Sequence, residues 1–114
     1  MTQKNWHIQR SGACVTLARH LPARFDVSAT ARFPLVARTR LAHQIRQDMW
    51  RALQNLRGFS PVVQIEQIED GLSVTAGGRL GPPISGQVSQ KIDALLHDGA
   101  LRARWIKCAG GVRT

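Results

Sequence analysis

Residues 25–33 read FDVSATARF, and this stretch constrains the fold more than any other part of the chain. Phe25, Val27, Ala29, Ala31 and Phe33 alternate without a break with Asp26, Ser28, Thr30 and Arg32. A period of two puts the apolar side chains on one side of an extended chain and the polar ones on the other. The segment is therefore expected to be a strand with one buried and one wet face. Pro34 ends the alternation and can open a helix. From there to Arg57 the period lengthens: at about 100° per residue, Leu41, Ile45, Met49, Ala52, Leu53 and Leu56 share an arc of roughly 120°. A half-wet strand joined directly to an amphipathic helix calls for a sheet covered by helices on one side.

The rest of the chain extends that pattern. Gly58 is a natural stop for the helix, expected over 35–57. Residues 62–68 are rich in β-branched side chains and read as a strand. Asp70-Gly71 signals a hairpin turn, and 72–76 alternates as the returning strand. Gly77 to Pro83 reads as a loop. Ser85 caps a second expected helix over 85–97, with Val88, Ile92, Leu95 and Leu96 on its apolar side. Leu101, Ala103 and Trp105 alternate with Arg102 and Arg104, which predicts a last strand over 101–107. From residue 25 the order is β-α-β-β-α-β, so the expected fold class is α+β, a ferredoxin-like βαββαβ sandwich. Residues 1–24 form an N-terminal extension, readable as a hairpin around Ser11-Gly12, that extends the sheet or covers its edge. Residues 25–108 make one α+β domain, and 109–114 a flexible tail. The expected core is Leu41, Ile45, Met49, Leu53, Val63, Ile65, Val74, Ile92 and Leu95.

Charge enters where function is at issue. The net charge is +9, carried by thirteen Arg and three Lys against seven acids. Residues 1–58 hold an excess of +8 and residues 59–114 only +1. Such polarity suits an anionic partner, RNA, DNA, an acidic protein or a membrane surface, although an arginine-rich composition alone also raises the charge. The N-terminus lacks the apolar run of a secretory leader, and no stretch approaches about eighteen apolar residues. No membrane span is expected, and the expected location is the cytoplasm. Cys14 and Cys108 lack metal-like spacing and are expected to be two buried free thiols, with a disulfide as the alternative.

Trp50 is the feature of the first helix that the core does not explain. It lies nine residues after Leu41, half a turn away from the apolar stripe. Its helical neighbours are His43, Arg46, Gln47, Gln54 and Arg57. Aromatics set among arginines are typical of binding hot spots. Two arrangements fit: Trp50 is an exposed anchor, or residues 1–24 fold back over it with an arginine stacked on the ring. Arg38 and Arg40 sit near the start of the helix, where its dipole disfavours cations, and an acidic partner would relieve them. The candidate binding residues are Arg38, Arg40, His43, Arg46, Trp50, Gln54 and Arg57.

Several chemistries lack their equipment. Gly77-Gly78-Arg79-Leu80-Gly81 is not followed by Gly-Lys-Ser/Thr, so it is no phosphate-cradling P-loop. The four histidines show no paired metal-ligand spacing, and no nucleophile motif or placed carboxylate pair is legible. No catalytic residue, metal or cofactor is expected. The wet face of the expected sheet carries Asp26, Ser28, Thr30, Arg32, Gln64, Glu66, Ser73, Thr75, Arg102 and Arg104, without the aromatics on which RNA-recognition sheets stack bases. The sequence therefore reads as a small non-enzymatic protein that contacts nucleic acid, structured RNA included, through its arginine-rich half and the polar face of helix 34–57. The alternative is a protein–protein adaptor or assembly factor docking on an acidic partner.

Overall fold

The computed structural model describes residues 6–82 and 85–111. The chain starts with two short strands, β1 (His7–Ser11) and β2 (Cys14–Ala18), which pair antiparallel with Ser11 opposite Cys14. Gly12 is the first of the two turn residues and has φ +57°, the sign a tight hairpin needs there. The hairpin expected near Ser11-Gly12 thus forms, and β2 joins it to the sheet by pairing with β4.

The alternating segment is β3 (Val27–Phe33), and the helix after it is α1 (Arg38–Leu53). The helix is shorter at both ends than the expected 35–57. Ala37 provides no side-chain cap at its start, and at its end Gly58, with φ +73°, turns the chain into the next strand. β4 (Ser60–Ile68) and β5 (Gly71–Arg79) follow as a hairpin. The strand β5 runs through Gly77 and Gly78, where a loop was expected. A Cβ at Gly77 would lie 2.0 Å from the Val27 carbonyl oxygen, and one at Gly78 would lie 2.0 Å from that of Ser60. The glycines let neighbouring strands close in on both sides instead of ending the ladder.

The last expected element is corrected. Residues 101–107 are not a strand but lie in a helix, α3 (Gly99–Cys108), which follows α2 (Gly86–Leu96) after a short turn. The Asp98 side chain caps α3 by accepting a hydrogen bond from the Leu101 backbone N–H at 3.0 Å. Ala, Leu, Arg and Lys fill the following turns, all good helix formers. Leu101 and Trp105, four apart, turn to the same side, so three alternating residues were too short a run to distinguish period two from period 3.6.

Among the described residues the result is an α+β fold with a five-stranded antiparallel sheet in the order β1-β2-β4-β5-β3 and three helices. β3 and β4 run in the same direction with β5 between them, as a split β-α-β unit requires. The complete ferredoxin-like order is not matched: a helix stands where its last strand would be, and a hairpin precedes its first. The helix-facing side of the sheet carries Val15, Leu17, Ala31, Phe33, Val63, Ile65, Leu72 and Val74, all buried. Against them lie Leu41, Ile45, Met49 and Leu53 from α1 and Val88, Ile92 and Leu96 from α2. Leu95, expected in the core, lies on its flank and is only half-buried, because Val88, Ile92 and Leu96 share the inward i, i+4 stripe. The opposite side of the sheet presents Ser28, Thr30, Arg32, Gln64, Glu66, Ser73 and Thr75. Arg102 and Arg104, expected on that wet face, lie on α3 instead.

Asp48 and Trp105 fasten α3 to α1. Trp105 is completely buried, and its Nε1–H donates to the Asp48 carboxylate at 2.6 Å. Arg104 and Arg51 also approach that carboxylate, so the buried charge is compensated. Arg102 holds the other side of α3. Its guanidinium donates to the carbonyls of Leu96 and Arg32 and lies 3.9 Å over the Phe33 ring. The backbone N–H of Ala37 reaches the carbonyl of Ala109, which is itself buried. Of the expected flexible tail, residues 112–114 lie outside the described residues. Both cysteines are free; Cys14 is half-buried and Cys108 is exposed, so the expectation of two buried thiols is corrected. No helix among the described residues is long and apolar enough to cross a membrane.

Candidate functional site

Trp50 projects from the side of α1 that faces away from α3. With 41% of its surface exposed it is one of three large apolar side chains open to solvent among the described residues, with Ile8 and Leu21. One aromatic neighbour nonetheless fixes its surroundings. Phe59, just beyond the Gly58 turn, stacks on it with ring centroids 6.3 Å apart and planes 10° from parallel. Phe59 is itself 8% exposed and belongs to the core cluster, so Trp50 rests on a fixed support.

The N-terminal segment reaches this side of α1, but it does not bury Trp50. Trp6, immediately before β1, settles on Arg46: the guanidinium carbon lies 4.6 Å from the ring centroid. Arg19, just after β2, approaches the same ring at 5.9 Å. Each contact is a cation–π interaction, and each holds a long, flexible side chain in place. Neither arrangement anticipated for Trp50 is met in full: the covering residue lands on the arginine one turn before it.

A groove of about 490 Å³ results, lined by Trp6, Arg19, His20, Arg46, Trp50, Phe59 and Pro61. Its walls come from three places in the chain: the flanks of the β1–β2 hairpin, the polar side of α1, and the start of β4. His20 shares a 2.7 Å hydrogen bond with Ser60, which fixes its ring at the rim. No carboxylate is found among the described lining residues. The groove is therefore a set of flat aromatic surfaces beside two permanent positive charges.

His43 supports the groove from behind. Its Nδ1 lies 3.4 Å from an Arg46 amino group. A guanidinium has no acceptor to offer, so Nδ1 must accept and the ring proton resides on Nε2. That Nε2 is buried without a hydrogen-bond partner among the described residues. Burial, and secondarily the charge of Arg46, hold the His43 pKa below the ordinary 6.5. Burial also lowers the Arg46 pKa from its usual value, though an arginine stays charged throughout the physiological range.

The seven residues singled out from sequence do not converge on one place. Arg46 and Trp50 line the groove, with His43 in contact through Arg46. Arg38 and Arg40 line a second, shallower depression of about 410 Å³ at the start of α1, together with Arg10 and Thr39. There Arg38 donates to the Ala13 carbonyl and Arg10 to the Thr39 hydroxyl at 3.0 Å. Arg38 is twelve residues before Trp50, about 18 Å away along the helix. Gln54, the C-cap of α1, and Arg57 are exposed and line neither depression. Sequence reasoning missed Trp6, Arg19, His20, Phe59 and Pro61. Phe59 had left a faint signal, as a lone aromatic directly after the glycine that ends the helix. Trp6 and Arg19 left none, because their place depends on how β2 pairs with β4.

Among the described residues there is no cluster of three or more His, Cys, Asp or Glu side chains arranged to hold a metal. No family model matches the chain, and no curated protein or solved structure matches it either.

Proposed function

We propose that the protein binds nucleic acid through the groove between the β1–β2 hairpin and α1. The observation that carries this reading is the pairing of a half-open, supported aromatic, Trp50, with Arg19 and Arg46 in a lining without a described carboxylate. Polyanions are held chiefly by arginine and lysine, and bases by flat π-surfaces. Arg46 is held against Trp6 and His43, so little side-chain freedom is lost when a phosphate arrives. The net charge of +9 adds long-range attraction for a polyanion. The second depression, with Arg10, Arg38 and Arg40, adds positive charge at the start of α1. The reading puts the protein in the cytoplasm, where free thiols such as Cys14 and Cys108 stay reduced.

The test is fluorescence anisotropy of labelled RNA and DNA titrated with the full chain across a salt series. The expected result is binding that weakens steeply with salt, by counterion release. Changing Arg19 and Arg46 together to Gln should lower the affinity by about tenfold or more at constant salt. If no nucleic acid binds at low salt while an acidic polypeptide does, the groove serves an acidic protein partner and the nucleic-acid reading falls.

A further inference from the structure

The groove offers more than charge, and we infer that its ligand is an unpaired nucleobase stacked on the exposed part of the Trp50 ring, with the adjoining phosphate held by Arg46. The site thus selects single-stranded nucleic acid, or an unpaired loop or bulge, over duplex. The inference rests on the nucleic-acid reading above and narrows it.

Three features separate this from generic polyanion binding. Trp50 is 41% exposed and lies nearly parallel to the buried Phe59 ring, with centroids 6.3 Å apart, so much of the indole is open beside a fixed neighbour. A base in a duplex already has both faces covered by its neighbours, so only an unpaired base can present a π-face to such a ring. The phosphate site is one helical turn away: Arg46 precedes Trp50 by four residues on α1, so both project from the same side of the helix. Finally, Trp6 is not an equivalent platform. Guanidinium groups approach its ring from Arg46 at 4.6 Å and Arg19 at 5.9 Å. Its role is to hold those arginines beside the groove, leaving Trp50 as the stacking surface. The open face of the sheet carries mostly Ser, Thr and Gln with Arg32, Glu66 and His7, and no Phe or Trp on the described strands, so it lacks an indole or phenyl platform like Trp50.

The experiment measures binding of the full-length protein to four labelled probes at one salt concentration. These are a single-stranded oligonucleotide, the same sequence as a duplex, the single strand with abasic sites throughout, and heparin as a polyanion without bases. The expected order places the intact single strand well ahead of the other three. Removing the bases should weaken binding by about 5- to 150-fold, the worth of one base–aromatic stack. Trp50→Ala should lower single-strand affinity by a similar factor and heparin affinity far less, while Trp50→Phe should retain most of the single-strand affinity. The abasic probe tests wild-type protein, so the answer does not depend on how well a variant folds. Equal affinity for intact, abasic and duplex probes overturns the inference and leaves the nucleic-acid reading standing. Base dependence that survives in Trp50→Ala also overturns it, since the base would then stack elsewhere. Failure of all four probes to bind overturns both.

Discussion

His43 shows how one side chain's surroundings become a property of the whole molecule. Its ring is neutral in the folded state, because burial and Arg46 both oppose a second positive charge. The unfolded chain has no such constraint and protonates near the ordinary value of 6.5. As pH falls through and below that value the unfolded state takes up a proton that the folded state refuses, so stability declines toward the lower, folded-state pKa. The stabilising contribution is thus present above about pH 6.5 and lost on acidification. Urea denaturation between about pH 7.5 and about pH 5.5 should show a larger loss for the wild type than for His43→Gln, which cannot titrate. Parallel curves for the two proteins would mean that His43 is freely solvated. The tryptophans make the complementary point. Trp50 and Trp105 both lie among arginines in the sequence, yet one is half-open on Phe59 and the other is buried against Asp48. Local spacing on α1 was enough to place Trp50 off the core stripe. Nothing local to residue 105 named Asp48, which lies on another helix.

At the level of elements, α3 depends on a single capping residue. Asp98 satisfies the Leu101 N–H and also puts a negative charge at the positive end of the helix dipole, with no acid in the first turn to share that role. Asp98→Ala is expected to cost about 0.5–2 kcal/mol. The loss should appear as a lower urea midpoint with an unchanged slope, together with faster hydrogen exchange confined to residues 99–108. Uniformly faster exchange across α1 and the sheet would instead show that the cap is coupled to the entire fold. The elements readable from sequence were those with a long, single period: β3 within the nine alternating residues 25–33, α1 with its wide apolar arc, and α2 with Ser85 at its cap. The strands β4 and β5 were also legible, except where Gly77 and Gly78 mimicked a loop. The helix α3 was misread because Leu101, Ala103 and Trp105 satisfy a strand pattern by chance, while the stronger signal was an Asp cap followed by helix formers. The groove was half legible for a related reason. Arg46 and Trp50 share one helix, whereas Trp6, Arg19 and Phe59 meet them only through tertiary pairing.

For the molecule as a whole, the N-terminal hairpin is part of the structure and not an appendage. Val15 and Leu17 are each 1% exposed, and β2 pairs with β4 along its full length. Burying two such side chains contributes about 1.5–3 kcal/mol each. A domain's entire stability is only about 5–15 kcal/mol. Deleting residues 1–18 is therefore expected to abolish cooperative thermal unfolding, read by circular dichroism. A truncated chain melting at the wild-type temperature would show that the remaining strands and helices suffice. The same hairpin supplies Trp6, so the chain's three indoles end in three unlike settings: Trp6 beside guanidinium groups, Trp50 half in water, and Trp105 hydrogen-bonded in the dry interior. Indole emission shifts to longer wavelength with hydration, so the three contribute at different places in one spectrum. The red component, from Trp50, would respond to an occupied groove. The blue component, from Trp105, would hold steady until the interior opens. The protein thus carries two built-in optical signals, one for occupancy and one for integrity, with no added label.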